Sequence, residues 1–236
     1  MGLFSFVSSC VSAVGSAISS AVGSIGKAVS SFATNFAPTI GSILAKVHPV
    51  LGTVSLWAST IGQVLNLFRP DEKVEDIGDR ALQAQEKDIK PEKFENFDTY
   101  MNELRNFDLN PEVSDKTSTA TKLVAGMAVA TLGMEDKFSL ERGSLNGIWL
   151  LPMTNADYFT PERMKSLLEN GKVIGDIGAY LEKRMSGEDA SAFRKNLEFT
   201  PEGKPMNSSE LGQLYSAVDK SRNEWAELKK QIKDSD

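Results

Sequence analysis

Few residues in this chain have side chains suited to catalysis, and they are widely separated. The 236 residues include one histidine, His48, and one cysteine, Cys10. His48 lies in an uncharged stretch before Pro49, and a single imidazole cannot form a multi-histidine metal site or a histidine-based triad there. Cys10 has no basic residue nearer in the sequence than Lys27, so nothing close to it favours the reactive thiolate. We interpret both as packing residues.

Adjacent acidic residues are the other candidates for chemistry. Acid–base hydrolysis of a glycoside needs two carboxylates that face each other across a groove. Each acidic pair here falls where a helix start or a solvated linker is expected: Asp71-Glu72, Glu75-Asp76, Glu135-Asp136 and Glu188-Asp189. The sequence therefore predicts that the protein is not an enzyme and has no catalytic residue, cofactor or metal site.

Three closely spaced glycines do not predict a phosphate-binding loop. Gly171, Gly175 and Gly178 have the wrong spacing, no strand is expected before them, and Lys172 does not occupy the Walker position. Helix packing is the better interpretation.

Charge is divided unevenly along the chain. Residues 1–68 contain Lys27 and Lys46 but no acidic residue, and therefore carry +2. Because the whole chain carries −6, the remainder carries −8. Such asymmetry predicts that the two parts of the chain lie in different environments. We expect an apolar Gly/Ala/Ser-rich segment at 1–68 that is membrane-active or mediates assembly, a charged connector at 69–91 and a soluble helical domain at 92–236. The acidic balance argues against sequence-specific nucleic-acid binding, which needs clustered basic residues.

An eleven-residue repeat dominates the first segment. Its units begin Ser8-Ser9-Cys10-Val11, Ser19-Ser20-Ala21-Val22 and Ser30-Ser31-Phe32-Ala33. Eleven residues over three turns is about 3.67 residues per turn, close to the α-helical period. The repeat predicts one long helix that ends before Pro38. One apolar face of this helix is expected to meet a membrane or another subunit: Leu3, Val7, Val11, Val14, Ile18, Val22, Ile25, Val29, Phe32 and Phe36.

The opposite face of this helix is small and neutral. Each glycine there costs about 1 kcal/mol of helix propensity relative to alanine. Gly15, Ser19 and Gly23 are spaced by four residues, which is typical of helices that pack backbone to backbone. We expect these residues to pack against another helix, or the segment to change conformation. No Lys or Arg precedes Lys27, so we expect the N-terminus to be retained rather than cleaved as a secretory signal.

A second apolar stretch runs from residue 47 to 68. It is long enough to span a bilayer core, which takes about 20 residues, but its polar side chains favour an interfacial or buried hairpin. Trp57 is expected to contact lipid or a partner helix, because indole favours the bilayer interface.

The remaining sequence reads as successive helices. Thr160-Pro161 is a typical helix start, Ser186 and Asp189 resemble a capping box, and residues 208–233 form an amphipathic pattern. Strand-like alternation is nearly absent. The predicted fold is all-α, with small-residue apolar N-terminal helices and an acidic multi-helix C-terminal domain.

The N-terminal residues Met1 to Phe6, together with the repeats to Phe36, resemble in composition the Gly/Ala/Ser-rich N-termini of phage DNA-ejection (pilot) proteins and of penetration proteins in non-enveloped viruses. The resemblance covers under a third of the chain. It implies a virion-associated delivery protein, present as a homo-oligomer with other virion proteins. In this hypothesis residues 1–36 are sequestered in an assembly and later released. The N-terminal helix would then insert in or penetrate a lipid membrane, or line a translocation conduit.

Two other functions fit the same residues. One is a purely structural ring or tube without membrane contact, and the other is a secreted pore-forming effector. Delivery and assembly share one assumption, namely that the opening helix is not covered by its own chain. Packing of that helix as an ordinary monomer core would remove the basis for both.

Overall fold

The computed structural model describes residues 13–171 and 175–234, apart from the side chains of residues 48 and 49. These residues form helices and no strand, with one isolated bridge between Phe199 and Pro205. The all-α prediction is confirmed. By internal packing the described residues form two units, the first comprising residues 13–146 with 232–234 and the second residues 147–231.

The first unit contains eight α-helices in its described part. They are α1 (Ala13–Ser24), α2 (Ser30–Asn35), α3 (Ala37–Lys46), α4 (His48–Val64), α5 (Val74–Ala84), α6 (Phe97–Asn106), α7 (Pro111–Lys116) and α8 (Thr119–Lys137). The unit boundary differs from the division expected from charge. Residues 13–68 do not stand apart from residues 69–146, because α1, α3 and α4 all contact α8.

Helix α8 lies at the centre of the first unit because it is apolar on nearly every side. Almost every residue from Leu123 to Glu135 is buried. Ser118 caps the start of the helix, where its side chain accepts a hydrogen bond from the backbone N–H of Thr121. A helix without a polar face must be covered all round, and α1, α3, α4, α5 and α6 provide that cover.

Helices α5 and α8 approach at backbone distance. A Cβ atom at Gly78 would collide with the carbonyl oxygen of Lys122, and one at Gly126 would collide with the carbonyl oxygen of Val74. Beside this contact, Lys122 Nζ lies 2.8 Å from a carboxylate oxygen of the buried Asp79. The two glycines therefore set the distance between the helices.

The second unit contains the remaining α-helices of the described chain, except that the last two residues of α13 belong to the first unit. They are α9 (Leu150–Asn155), α10 (Pro161–Ser166), α11 (Ile177–Leu181), α12 (Gly187–Lys195) and α13 (Ser208–Lys233). Thr160 and Ser186 cap α10 and α12 as the sequence predicts, and α13 has the predicted bounds. Trp149 and Phe159 are fully buried within this unit.

Replacing Gly78 with alanine tests the contact between α5 and α8. The added methyl group meets rigid backbone, so the free energy of unfolding should fall by about 1–3 kcal/mol. Chemical denaturation measures this change.

Gly52→Ala is the matched control. Gly52 lies within α4, and a Cβ there meets nothing within 4 Å, so alanine should stabilise the protein by up to about 1 kcal/mol. An unchanged stability in Gly78→Ala would contradict the backbone contact.

Candidate functional site

Most of the apolar face predicted to meet a membrane or a neighbouring subunit faces the interior of the first unit. Leu3, Val7 and Val11 lie outside the described residues. Among the others, Val14 is 44% exposed, whereas the following are buried: Ile18, Val22, Ile25, Val29, Phe32, Phe36 and Trp57. The assumption that this face is uncovered is wrong for residues 18–36. In this state it cannot contact lipid or a second subunit.

The predicted packing residues contact neighbouring segments of the same chain. Gly15 lies directly against the Pro38 carbonyl and the Ser42 side chain on α3. Ser19 Oγ donates a hydrogen bond of 2.6 Å to the Ala33 carbonyl. A Cβ at Gly23 would lie 3.6 Å from the Ala33 Cβ. The small residues thus let α1 lie against α2 and α3.

The single continuous helix expected up to Pro38 is also wrong, because the chain bends after α1. A 3₁₀ turn, Lys27–Val29, separates α1 from α2. Gly26 has φ 159° and ψ 172°, whereas an α-helical residue has values of about −63° and −42°. The bend folds α2 back beside α1.

A distant carboxylate holds this bend. Glu92 Oε1 accepts a hydrogen bond of 3.0 Å from the backbone N–H of Lys27. A Cβ at Gly26 would meet the other carboxylate oxygen, so a side chain there would displace the Glu92 carboxylate from its present position. Burial favours a higher pKa for Glu92, but backbone N–H groups, including those of Lys27 and Ala28, outweigh it and keep the pKa below its usual value.

A cavity of about 260 Å³ lies beside the bend. Ala28, Glu92 and Arg142 line it together with Tyr100. Tyr100 is 1% exposed, and its hydroxyl has no hydrogen-bond partner in the part of the chain that the structure describes. Burial raises the pKa of Tyr100, so the hydroxyl is protonated at neutral pH. Sequence reasoning missed Glu92 and Tyr100, because their relation to the bend joins positions far apart in the chain.

Members of two of the acidic pairs, Asp71-Glu72 and Glu135-Asp136, make structural contacts. Glu135 is 2% exposed and accepts hydrogen bonds from the backbone N–H groups of Gly143 (2.9 Å) and Leu145 (3.1 Å). Burial raises the pKa of Glu135. Glu72 pairs with Arg105 at 2.7 Å, and Asp136 with Arg142 at 3.1 Å. Within residues 13–171 and 175–234, no three potential metal ligands cluster.

Comparisons add no relative from which a function could be transferred. No family model, curated protein or solved structure matches this chain significantly. Of the helices that could be searched in the described ranges, none has both the length and the hydropathy needed to cross a membrane.

Removing the charge of Glu92 tests its hold on the bend. Glu92 is exposed and screened by solvent, so Glu92→Gln should lower the free energy of unfolding at neutral pH by at most about 1 kcal/mol. Because the folded-state pKa is below the unfolded one, Glu92 stabilises the fold above its unfolded-state pKa, and this contribution is lost as pH falls. The difference between wild type and variant should therefore vanish in acid.

Denaturant unfolding at several pH values measures this difference. Glu95→Gln removes the same charge from an exposed neighbour and should leave the pH profile unchanged. A difference between wild type and Glu92→Gln that persists in acid would show that the carboxylate does not hold the bend.

Proposed function

We propose that this protein is a virion-associated delivery protein of phage type, whose N-terminal helices are stored in the folded state and later released. Released, α1 and α2 form one longer amphipathic helix that inserts in or penetrates a membrane, or lines a translocation conduit. Packing of residues 18–36 inside the first unit removes the basis given above for a helix that is uncovered in the folded chain. The proposal rests instead on one observation: the apolar stripe keeps a continuous helical phase across the bend at Gly26.

The spacing of the buried residues supports a second, straight conformation. They follow one another at steps of four or three residues: Ile18, Val22, Ile25, Val29, Phe32 and Phe36. This is the spacing of one face of a continuous helix. In the bent state α1 and α2 are separate helices, so their packing does not require a common phase. A straight helix does require it.

The length of the released helix also fits a membrane role. A helix joining α1 to the end of α2 would be about 35 Å long at 1.5 Å per residue, and the hydrocarbon core of a bilayer is about 30 Å thick. Its polar face, rich in Ser and Gly, would bind through buried apolar area rather than through charge.

Release requires a new surface to cover the stripe. Each large aliphatic side chain that leaves the core loses about 1.5–3 kcal/mol of the free energy that its burial contributes to stability. The stripe therefore stays inside the first unit in water, and only lipid or neighbouring subunits can offset the loss. This dependence supports storage followed by triggered release.

A purely structural assembly is the second candidate, supported by exposed apolar residues on the folded state. Leu56 on α4 is 72% exposed and Val14 on α1 is 44% exposed. Neither helix carries an acidic residue, so neighbouring copies could approach these faces without desolvating carboxylates. In this alternative the bend persists in the assembled state.

A disulfide between α1 and α2 tests release directly. Gly23→Cys with Ala33→Cys, in a Cys10→Ser background, joins positions whose Cβ atoms would lie 3.6 Å apart, within the disulfide range of about 3.5–4.5 Å. On a straight helix the same positions lie about 15 Å apart. The oxidised variant therefore cannot straighten.

Dye leakage from liposomes, measured at neutral and acidic pH, reports whether α1 and α2 can form the straight helix. Wild type and the reduced variant should cause leakage that rises in acid, and oxidation should reduce it about tenfold or more, since no straight helix forms. Equal leakage by the oxidised and reduced variants would contradict release. No leakage by any form, with intact oligomers, would favour the structural assembly.

A further inference from the structure

The second unit contains a polar groove that is lined only by residues of this unit. Its volume is about 360 Å³, and it lies among α11, α12 and α13. Its polar side chains are those of Tyr180, Ser191, Arg194, Tyr215, Asp219 and Arg222. All of these residues belong to the same unit.

Tyr180 lies in the wall of the groove and is held in place on both sides. Its ring lies 4.6 Å from the ring of Phe193, and the guanidinium carbon of Arg222 lies 5.0 Å from its centroid. The side chain is 4% exposed, and no residue in the described ranges hydrogen-bonds to its hydroxyl. Burial raises the pKa of Tyr180 although Arg222 and Arg194 oppose it. The side chain is therefore held in place, and its protonated hydroxyl keeps a hydrogen-bond donor.

Each of the two arginines lies over an aromatic ring and beside one carboxylate. The guanidinium carbon of Arg194 lies 5.3 Å from the Tyr215 ring centroid. Arg194 Nε is 3.6 Å from Glu198, which is too long for a hydrogen bond. Arg222 donates one hydrogen bond of 3.0 Å to Asp219. The buried Nε atoms of both arginines lack partners among the described residues.

Apart from the bond from Arg222 to Asp219, the terminal guanidinium nitrogens of both arginines make no hydrogen bond among the described residues, so donors remain beside the groove. A guanidinium stacked on an aromatic ring keeps its donors in a fixed plane, which suits recognition of an oxyanion. The hydroxyls of Tyr180 and Ser191 lie in the same lining. Asp219 and Glu198 partly neutralise the two arginines, and a more strongly charged anion could replace them as the acceptors.

We propose that this groove binds a phosphate group through Arg194, Arg222 and the Tyr180 hydroxyl. A phosphate monoester carries between one and two negative charges near neutral pH and has three strong acceptor oxygens. These match two guanidinium groups and one hydroxyl better than the two oxygens of a singly charged carboxylate. The phosphate source is either a soluble monoester or a phospholipid headgroup. This inference does not depend on release of α1 and α2.

Calorimetry on the full chain at low ionic strength tests the site. Inorganic phosphate and glycerol phosphate are the soluble probes, and phosphatidylcholine vesicles with and without phosphatidic acid are the lipid probes. Arg194→Gln and Arg222→Gln should each weaken binding about tenfold or more, since each removes charge-assisted hydrogen bonds. Tyr180→Phe keeps the ring and should weaken binding by a smaller factor.

Lys195→Gln is the matched control, because it removes one positive charge from an exposed neighbouring position on α12. It should bind phosphate as the wild type does, and circular dichroism should show all variants folded. Loss of soluble-phosphate binding in the two arginine variants alone assigns a soluble ligand. Loss of vesicle binding that depends on phosphatidic acid assigns a headgroup. Absence of binding to every probe, equal loss in Lys195→Gln, or acetate binding as tightly as phosphate would overturn the proposal.

Discussion

The first unit depends on one constraint: the apolar stripe, in a segment without acidic residues, must be covered, and α8 of the same chain helps to cover it. Helix α8 has apolar side chains on every side, and the stripe is also apolar, so packing them together buries the apolar surface of both. On another side of α8, the close approach of α5 at Gly78 and Gly126 completes the core. Loosening either contact exposes apolar surface on α8.

The same stripe gives the proposed function a physical basis. Its phase suits a straight helix, whereas the folded chain bends it at Gly26. The bent state is held by many apolar side chains and by one carboxylate, Glu92, which contacts the backbone after the bend. The apolar contacts set the cost of release, and the carboxylate makes the bend sensitive to acid. A helix stored in this way differs from one that is permanently exposed, because release requires a surface that replaces the core.

The features predicted correctly from sequence are those determined by local interactions. The all-α fold, the caps at Thr160 and Ser186 and the bounds of α13 follow from periodicity and helix-start chemistry within a few residues. The partner of the N-terminal stripe was not predictable in this way. Periodicity shows that a face of a helix will be buried, but not what buries it. The low charge of the segment predicts lipid or another subunit as the partner, whereas the structure shows that α8 of the same chain contributes to this cover.

Long-range contacts account for the remaining differences between the structure and the predictions from sequence. The bend depends on Glu92, which lies 65 residues beyond Lys27, and nothing near Gly26 in the sequence indicates it. The groove of the second unit combines Tyr180, Arg194 and Arg222 from three helices, and each residue alone is unremarkable in sequence. The glycine spacing of α1 was informative, since Gly15 does allow close packing, although its partner is α3 rather than another subunit.

Hydrogen–deuterium exchange of the intact protein in water tests the central claim most directly. If the stripe is stored in the core, the amides of α1 and α2 should exchange far more slowly than unfolded amides and be protected comparably with those of α3. Exchange of residues 13–36 at the rate of an unfolded chain, while α8 stays protected, would contradict the account.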